Sequence, residues 1–234
     1  MEWVEQTGST NADLLLAARA GQLSPQVLVA QRQTAGRGRM GRVWRSAPGS
    51  SLTFSLGLCL EPVQWSGLSL AVGVALAQAL HPDVRLKWPN DLWWQERKLA
   101  GILIETTHRG NSHYAVIGVG LNIAEPPEDP AGLAGPVAWV REFWPEAHVD
   151  AVLERVLLPL ARAMKQFESL GFAAFQAAFE QRDALRGRQV GLSDGTQGIA
   201  QGVDTQAALL VHTVHGVQAV TTSEVSVRVH QDVG

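Results

Sequence analysis

The residues best suited to chemistry lie in two short stretches of the chain. The first runs from Gln33 to Trp44 (QTAGRGRMGRVW) and places Arg37, Arg39 and Arg42 on a glycine-rich segment, with Arg45 just beyond it. Glycines let backbone N–H groups approach a phosphate closely, and guanidinium groups pair with its oxygens in bidentate fashion. Because the whole chain has a formal net charge of -3, this local cluster of cations predicts a binding site for an anionic group.

The second stretch supplies a carboxylate and an ammonium group. It begins with residues 87–91 (KWPND), which end in Asp91, and Lys98 follows seven residues later. If the chain doubles back between them, both side chains face one cavity, where a low dielectric strengthens their interaction. The simpler alternative is a turn aspartate and a surface lysine, since an Asx-turn is a complete structural explanation of Asn90-Asp91. The residues alone therefore predict an anion site beside a carboxylate and a lysine, and they leave the substrate open.

The segment from Gly36 to Trp44, called the arginine loop below, also contains a literal G-x-G-x-x-G. In dinucleotide-binding folds the last glycine of this motif opens a helix that faces the pyrophosphate. Residues 42–49 (RVWRSAPG) are poor helix formers, which disfavours that interpretation. Nucleic-acid binding through the loop is a further alternative, but such proteins usually carry a basic face and this chain is mildly acidic outside the loop. An anionic small molecule is therefore the favoured partner.

Composition narrows the class of protein. The chain has 234 residues, 46% of them hydrophobic and 18% charged, which suits one substantial domain with or without a small appendage. No run approaches the roughly 18 to 20 apolar residues that cross a bilayer, so no membrane contact is expected. Cys59 is the only cysteine, which excludes an intrachain disulfide and favours a reducing, cytoplasmic location. The seven histidines show no zinc-site spacing, and His212 and His215 are expected at the surface.

Local patterns predict the elements that hold the two stretches. A helix capped by Ser9-Thr10-Asn11 and stopped at Gly21 comes first, and a strand over 27–30 leads directly into the arginine loop. We further expect a strand over 52–58, a helix over 65–80, an extended segment over 85–88 and a turn at 89–91. These elements bring both stretches to the ends of strands.

The rest of the chain divides into three parts. Residues 99–107 and 114–123 form a predicted hairpin, so neighbouring strands pair antiparallel, although these apolar strands could be core or interface. Residues 137–185 carry a helical pattern in which Pro159 marks a kink or a boundary. From Arg188 to His230 there are five or six short β runs, which predict a small barrel leaning on the larger domain.

Taken together, the motifs resemble those of biotin protein ligase (biotin–[acetyl-CoA-carboxylase] ligase) of the monofunctional type. The resemblance covers nearly the whole chain: Ser9-Thr10-Asn11, the run from Gln33 to Trp44, KWPND, KLAGILIE from Lys98 to Glu105, and Gly118-x-Gly120-x-Asn122. It implies an α+β fold with a mixed, largely antiparallel sheet and flanking helices, as in class II synthetases, over residues 1–186. It further implies a small SH3-like β-barrel over residues 187–234.

The resemblance implies a two-step reaction. Biotin and Mg·ATP form biotinyl-5′-AMP and pyrophosphate, and a lysine of a biotin carboxyl carrier protein or domain of acetyl-CoA carboxylase then attacks to form an amide. The substrates are thus biotin and ATP, Mg²⁺ assists, and no metal ligand in the chain is assigned.

The same resemblance assigns residues. Its catalytic residues are Lys98 and Arg39, which offset the negative charge during adenylation, and Asp91, which orients or deprotonates the acceptor lysine. The biotin-binding residues it implies are Ser9, Thr10, Asn11, Gln33, Gly36, Arg37, Lys98 and Gly101. The ATP- or adenylate-binding residues it implies are Arg37, Arg39, Arg42, Trp44, Lys98, Gly118, Gly120, Asn122, Glu224 and Arg228. In this scheme Gly118 and Gly120 let the backbone approach the ligand, Asn122 reads the adenine edge, and the arginine loop closes over the adenylate.

The sequence also departs from the family pattern. Met40 stands where some relatives have arginine, and Phe179 where many have tryptophan. The chain begins at the catalytic domain, which predicts no DNA binding, and relatives of both monomeric and dimeric type leave a homodimer open. A lipoyl or octanoyl transferase-like enzyme is the alternative within the same fold, and it should lack the combination of arginine loop and KWPND.

Overall fold

The structure is a computed structural model that describes residues 1–125, 136–221 and 227–229. Its larger sheet has seven strands in the order β1-β2-β3-β7-β6-β5-β4. The strands are β1 (Glu2–Thr7), β2 (Gln26–Gln33), β3 (Ser51–Cys59), β4 (Arg85–Lys87), β5 (Asp91–Trp94), β6 (Arg97–Arg109) and β7 (Ser112–Asn122). Only β1 and β2 pair in parallel, and every other pair is antiparallel. The predicted mixed, largely antiparallel sheet is confirmed, whereas β1 went unrecognised because no regular alternation marks it.

Helices cover both faces of this sheet. The helix α1 (Thr10–Arg19) packs Leu14, Leu15 and Ala18 on a small apolar cluster of β2 and β7. On the other face, α2 (Leu68–Leu80) and α3 (Val149–Leu170) contribute to the main core with the alternate strand residues, such as Leu52 and Phe54. Because the side chains of a strand alternate between the two faces of the sheet, the small cluster under α1 and the main core lie on opposite faces.

The predicted helical region over 137–185 is only partly helical. Residue 137 instead forms a parallel bridge with Lys98, and the main helix α3 starts at Val149. A short helix, α4 (Gln176–Glu180), follows Gly171, whose positive φ of 62° ends α3. Pro159 lies inside α3, so the alternative in which it marks a boundary is wrong. None of the described helices is long and apolar enough to span a bilayer.

A second sheet follows, with the order β11-β10-β9-β8-β12 and only antiparallel pairs. Its strands are β8 (Gln189–Leu192), β9 (Gln197–Val203), β10 (Leu209–Thr213), β11 (Gly216–Val220) and β12 (Val227–Val229). Within the described residues the five or six predicted β runs are five strands, and His212 and His215 are exposed as expected. The domain boundary at 186/187 stays a prediction, although the second sheet begins just beyond it.

Candidate active site

The arginine loop folds back on itself immediately after β2. The Trp44 N–H donates to the Gly36 carbonyl at 2.9 Å, and the Gly38 N–H donates to the Arg42 carbonyl at 2.7 Å. The tip is a single 3₁₀ turn over Arg39–Gly41, with Met40 in the left-handed region at φ 56°. Because this turn is followed by extended backbone and no helix, the interpretation as a dinucleotide motif is wrong.

The chain doubles back between Asp91 and Lys98, which was one of the two alternatives that the sequence left open. Strands β5 and β6 form a hairpin with its turn at Gln95-Glu96, and a register shift lies between Leu92 and Trp93. The Lys98 ammonium lies 2.7 Å from the Asp91 carboxylate, whose side chain is 16% exposed, against 37% for Lys98. The two groups therefore form one partly shielded ion pair, and the alternative of two unrelated surface residues is wrong.

Backbone and side-chain contacts fix the turn that carries Asp91. The Asn90 amide donates to the Ile102 carbonyl at 2.8 Å, and the Ile102 N–H donates back to the Asn90 carbonyl. From α2, the Ser69 hydroxyl donates to the carbonyl of Pro89 at 2.8 Å. The Asn90 side chain thus ties the turn to β6 across the hairpin, where a simple Asx-turn would have closed only its own loop.

Three cations converge beside this turn. Arg39, Arg42 and Lys87 line a small cavity with Asp91, and Val227 of β12 closes it from the second sheet. Burial lowers the pKa of Lys87, and the charges of Lys98 and Arg42 lower it further against the attraction of Asp91. Burial also lowers the pKa of Arg39, again opposed by Asp91. An anion bound here would relieve this electrostatic cost, so the cavity suits a phosphate chain.

A buried polar network lies under the start of α1. The Thr10 N–H donates to Gln33 Oε1 at 2.7 Å, and the Ser55 hydroxyl lies 2.6 Å from both Thr10 Oγ1 and Asn11 Oδ1. The Asn11 amide nitrogen donates to Glu105 at 2.8 Å. The structure thus joins Thr10, Asn11 and Gln33, as the family pattern implies. Ser55 was missed, because a serine in an apolar strand carries no signal of its own.

Small residues form a floor across four strands beside this network. Thr53, Gly120 and Gly101 are paired across β3, β7 and β6, and Asp91 of β5 pairs with Gly101. The Trp44 indole lies directly on Gly120 and borders Gly101. The buried Trp44 Nε1 and Thr53 Oγ1 have no hydrogen-bond partner among the described residues. Two such atoms at one level of the sheet indicate a place for a polar ligand.

Gly118 and Asn122, which the family pattern assigns to ligand contacts, both contact other groups of the protein in this structure. Gly118 does allow close approach, but the group seated on it is the Asn11 amide. The Asn122 amide nitrogen donates to the carbonyls of Ala138, at 3.0 Å, and Lys98, at 3.3 Å. Both amide N–H groups of Asn122 are therefore engaged, which leaves its oxygen for an adenine contact.

The remaining predicted residues lie around the rim. Ser9 caps α1, with its hydroxyl accepting from the Ala12 N–H at 3.5 Å. Arg37 is exposed on the arginine loop, and Arg45 just beyond the loop is exposed as well. Arg228 is exposed on β12 next to Val227, and Glu224 lies outside the described residues.

A cleft of about 480 Å³ leads away from the ion pair along β6. It begins at Arg39 and Asn90, passes the first turn of α2, and ends at His108 and His113. Strand β5 pairs only with residues 97–101, so within the described structure the rest of β6 is open on that side. The cleft therefore combines an open strand edge with an end at Arg39 and Asn90, two residues that also line the cation cavity with Asp91.

Comparison with known proteins identifies the family that carries this arrangement. The sequence profile of the biotin/lipoate A/B protein ligase family matches residues 3–122, which hold all but the C-terminal part of the candidate site. This chain belongs to the biotin/lipoate A/B protein ligase family.

Relatives of this biotin/lipoate ligase family member match over most of its length. The bifunctional ligase/repressor BirA of Escherichia coli is 36% identical over 231 residues, 94% of this chain and 71% of the relative. The biotin–[acetyl-CoA-carboxylase] ligase of Paracoccus denitrificans is 34% identical, over 94% and 97% of the two chains. A solved Aquifex aeolicus biotin protein ligase, in complex with biotin and ATP, has a TM-score of 0.83 at 28% identity, over 98% of both chains.

Proposed function

We propose that this chain is a biotin protein ligase that activates biotin with ATP and transfers it to a lysine of a carrier domain. The observation that carries the proposal is the Lys98–Asp91 pair at 2.7 Å beside the cavity of Arg39, Arg42 and Lys87. The relatives matched over most of their length bear biotin ligase names, and the similar Aquifex aeolicus structure holds biotin and ATP. Nothing comparable favours the lipoyl or octanoyl transferase alternative.

Adenylation requires cations because both reacting groups are anionic. A biotin carboxylate oxygen attacks the α-phosphorus of ATP, the bond to the β-phosphate oxygen breaks, and pyrophosphate leaves. Lys98 and Arg39 offset the charge that accumulates on the α-phosphate, and Lys87 and Arg42 receive the departing phosphates. ATP enters as its Mg²⁺ complex, in which phosphate oxygens are the main ligands of the metal ion. That assignment suits the described residues, which contain no group of three or more histidines, cysteines or carboxylates able to hold a metal.

Transfer requires an amine at the anhydride carbon. The acceptor lysine arrives as an ammonium, Asp91 holds it and takes its proton, and the free amine attacks the biotinyl carbonyl. AMP leaves as the amide forms. Lys98, paired with Asp91 before substrate binds, turns to the carboxylate of biotin and then to the phosphate of AMP. This movement of Lys98 breaks the ion pair and leaves Asp91 available for the second step.

The arginine loop covers the adenylate between the two steps. Trp44 rests on Gly120 and Gly101, where the ligand would lie, so biotin and ATP displace its indole from this floor. The unpartnered Trp44 Nε1 and Thr53 Oγ1 gain polar contacts from the ligand or its water. Exclusion of bulk water then protects the mixed anhydride from hydrolysis.

The carrier domain docks along the open part of β6. The cleft that starts at Asn90 leads the acceptor lysine to Asp91, and the backbone groups of residues 104–109 that face away from β7 can receive a strand of the partner. A homodimer through the same edge is the competing occupant. Sedimentation of the protein with and without an acceptor domain separates the two.

The central experiment is biotin-dependent exchange of labelled pyrophosphate into ATP. Exchange that requires biotin, followed by labelling of an acetyl-CoA carboxylase carrier domain, supports the proposal. Exchange with lipoate or octanoate in place of biotin would support the alternative enzyme. Folded protein that shows neither activity would overturn the assignment.

Cytoplasmic location and the lack of DNA binding also belong to the proposal. The single, exposed Cys59 suits a reducing compartment, and the net charge of -3 disfavours a phosphate backbone as partner. Fractionation of cells and a gel-shift titration test these two statements.

A further inference from the structure

Ser55 is the buried centre of the network beneath the proposed biotin site. Its side chain is fully buried in the middle of β3. Its hydroxyl oxygen lies 2.6 Å from Asn11 Oδ1 and 2.6 Å from Thr10 Oγ1. Both partners are at least nine-tenths buried, so the direction of each hydrogen bond matters to the energy of the site.

The orientation of the Asn11 amide follows from its neighbours. Its nitrogen contacts the Leu103 carbonyl at 3.2 Å and a Glu105 carboxylate oxygen at 2.8 Å. Both are acceptors, so only the NH₂ group can face them, and the amide oxygen must face Ser55. Gly118 makes room for this arrangement, because a Cβ there would overlap the amide oxygen of Asn11.

The orientation of Asn11 also decides which way the hydroxyl groups of Ser55 and Thr10 donate. Ser55 has one hydroxyl proton, and Asn11 Oδ1 can only accept it, so Ser55 accepts from Thr10. Thr10 Oγ1 also lies 3.1 Å from Gln33 Oε1, the longest of these hydroxyl contacts, while the Thr10 N–H holds that oxygen at 2.7 Å. The Gln33 oxygen is thereby fixed, and its NH₂ group points to Gly36 at the base of the arginine loop.

We propose that Ser55 and Glu105 are positioning residues for recognition of the biotin ureido group. The hydrogen bonds run in one direction, from the Thr10 hydroxyl through Ser55 and Asn11 to the Glu105 carboxylate. The negative charge of the carboxylate polarises this series of hydrogen bonds and excludes the reversed arrangement. Thr10 Oγ1, which has given its proton to Ser55, therefore presents only lone pairs to the ligand and selects a ureido N–H at that place. This inference rests on the proposed function and extends it to two residues that do not touch biotin.

The test is Ser55→Ala in the biotin-dependent pyrophosphate exchange assay. We expect the KM for biotin to rise about tenfold, with kcat and the KM for ATP within about twofold of the wild-type values. We also expect weaker discrimination against the cyclic carbamate analogue of biotin, in which an oxygen that can only accept replaces one ureido N–H. General loosening of the fold would instead lower kcat and leave this discrimination unchanged.

Variants of Glu105 keep the test independent of packing at the buried serine. Glu105 is partly exposed. Glu105→Leu removes the terminal acceptor and should behave like Ser55→Ala, whereas Glu105→Gln keeps an accepting oxygen and should have a smaller effect. Thr213→Val is the matched control, because it removes a buried hydroxyl from the second sheet, and it should leave the KM for biotin unchanged.

Two results would overturn the inference. One is an unchanged KM for biotin in both Ser55→Ala and Glu105→Leu. The other is a parallel loss of kcat, ATP binding and thermal stability with unaltered discrimination against the carbamate analogue. If the wild-type protein shows no biotin-dependent exchange at all, the proposed function fails and this inference fails with it.

Discussion

Lys98 is the residue on which the proposed adenylation depends most directly. It is placed by a short hairpin, and its ammonium already lies 2.7 Å from Asp91. The distinction between two charged surface residues and one catalytic pair could not be made from spacing, because it required the hairpin turn at Gln95-Glu96. The sequence shows which residue types are present. Lys98 and Asp91 come into contact only because the chain turns at Gln95-Glu96.

Lys98→Ala should reduce biotin-dependent pyrophosphate exchange by about 100- to 1,000-fold, since it removes a cation that acts on the developing charge of the transition state. The side chain is 37% exposed, so the melting temperature should change little. Lys98→Arg should restore only part of the activity, because its planar fork does not replace a point charge. Near-normal exchange by Lys98→Ala would remove Lys98 from this role.

We expect Lys87 to lower the stability of the free protein and to strengthen its binding of ATP. Burial lowers its pKa, so the cation is costlier in the folded than in the unfolded chain. A cation with a lowered folded pKa makes stability rise with pH between the folded pKa and the ordinary pKa of 10.5, and the whole cost is present at any pH below the folded pKa. Lys87→Met should therefore raise the melting temperature without ligand and raise the KM for ATP. The exposed Lys165→Met is the control, and equal behaviour of the two variants would contradict the assignment.

At the scale of elements, the arginine loop is a hairpin that serves as the lid of the proposed mechanism. Its backbone hydrogen bonds at Gly36 and Gly38 give it a defined closed form, whereas its tip contains the left-handed Met40. The sequence indicated that the loop has no helix after it and that Arg45 lies outside the site. It could not show that Trp44 covers Gly120, because these residues come from separate parts of the sheet.

Arg39→Ala should shorten the lifetime of the enzyme-bound adenylate, because the loop loses a cation that lines the phosphate cavity. We expect at least a tenfold faster release of biotinyl-5′-AMP, measured by rapid filtration after a single turnover. Arg45→Ala changes an exposed arginine outside the motif and serves as the control. An adenylate lifetime that is the same in both variants would contradict the role of the loop as a lid.

At the scale of the whole molecule, the second sheet supports the turn that carries Asp91. The fully buried Trp88, directly before Pro89, donates its indole N–H to the Ala207 carbonyl at 3.0 Å. An ion pair between Arg188 and Glu96 joins the same two parts near the hairpin turn. The C-terminal part is therefore packed against the site, and Val227 closes the cation cavity from its β12 strand.

Trp88→Phe should destabilise the protein by about 1–3 kcal/mol, because the buried Ala207 carbonyl loses its donor while most of the packing remains. For a chain of this size, each kcal/mol lowers the melting temperature by about 2–4 °C. Calorimetry measures this change, and Phe179→Leu, a buried substitution away from the turn, gives the control for packing alone. If only Trp88→Phe also lowers the transfer rate, the second sheet helps to position the turn.

The sequence alone determined the local parts of this protein. Alternation and turn residues predicted the β6–β7 hairpin and the strand that leads into the arginine loop, and the spacing of motifs indicated the ligase family. These features depend on neighbours a few residues apart, so a short window of sequence contains them. The helical pattern over 137–185 failed in part because residues 136–138 pair with Lys98, far away in the chain.

The tertiary structure decided which distant groups meet. The contacts of Ser55 with Thr10 and of Trp88 with Ala207 span 45 and 119 residues. Such contacts arise from the order of strands in the sheet and from the packing of two sheets, and no local pattern specifies either. The residue types of the site were therefore legible in the sequence, while the direction of its hydrogen bonds and the support of its catalytic turn required the fold.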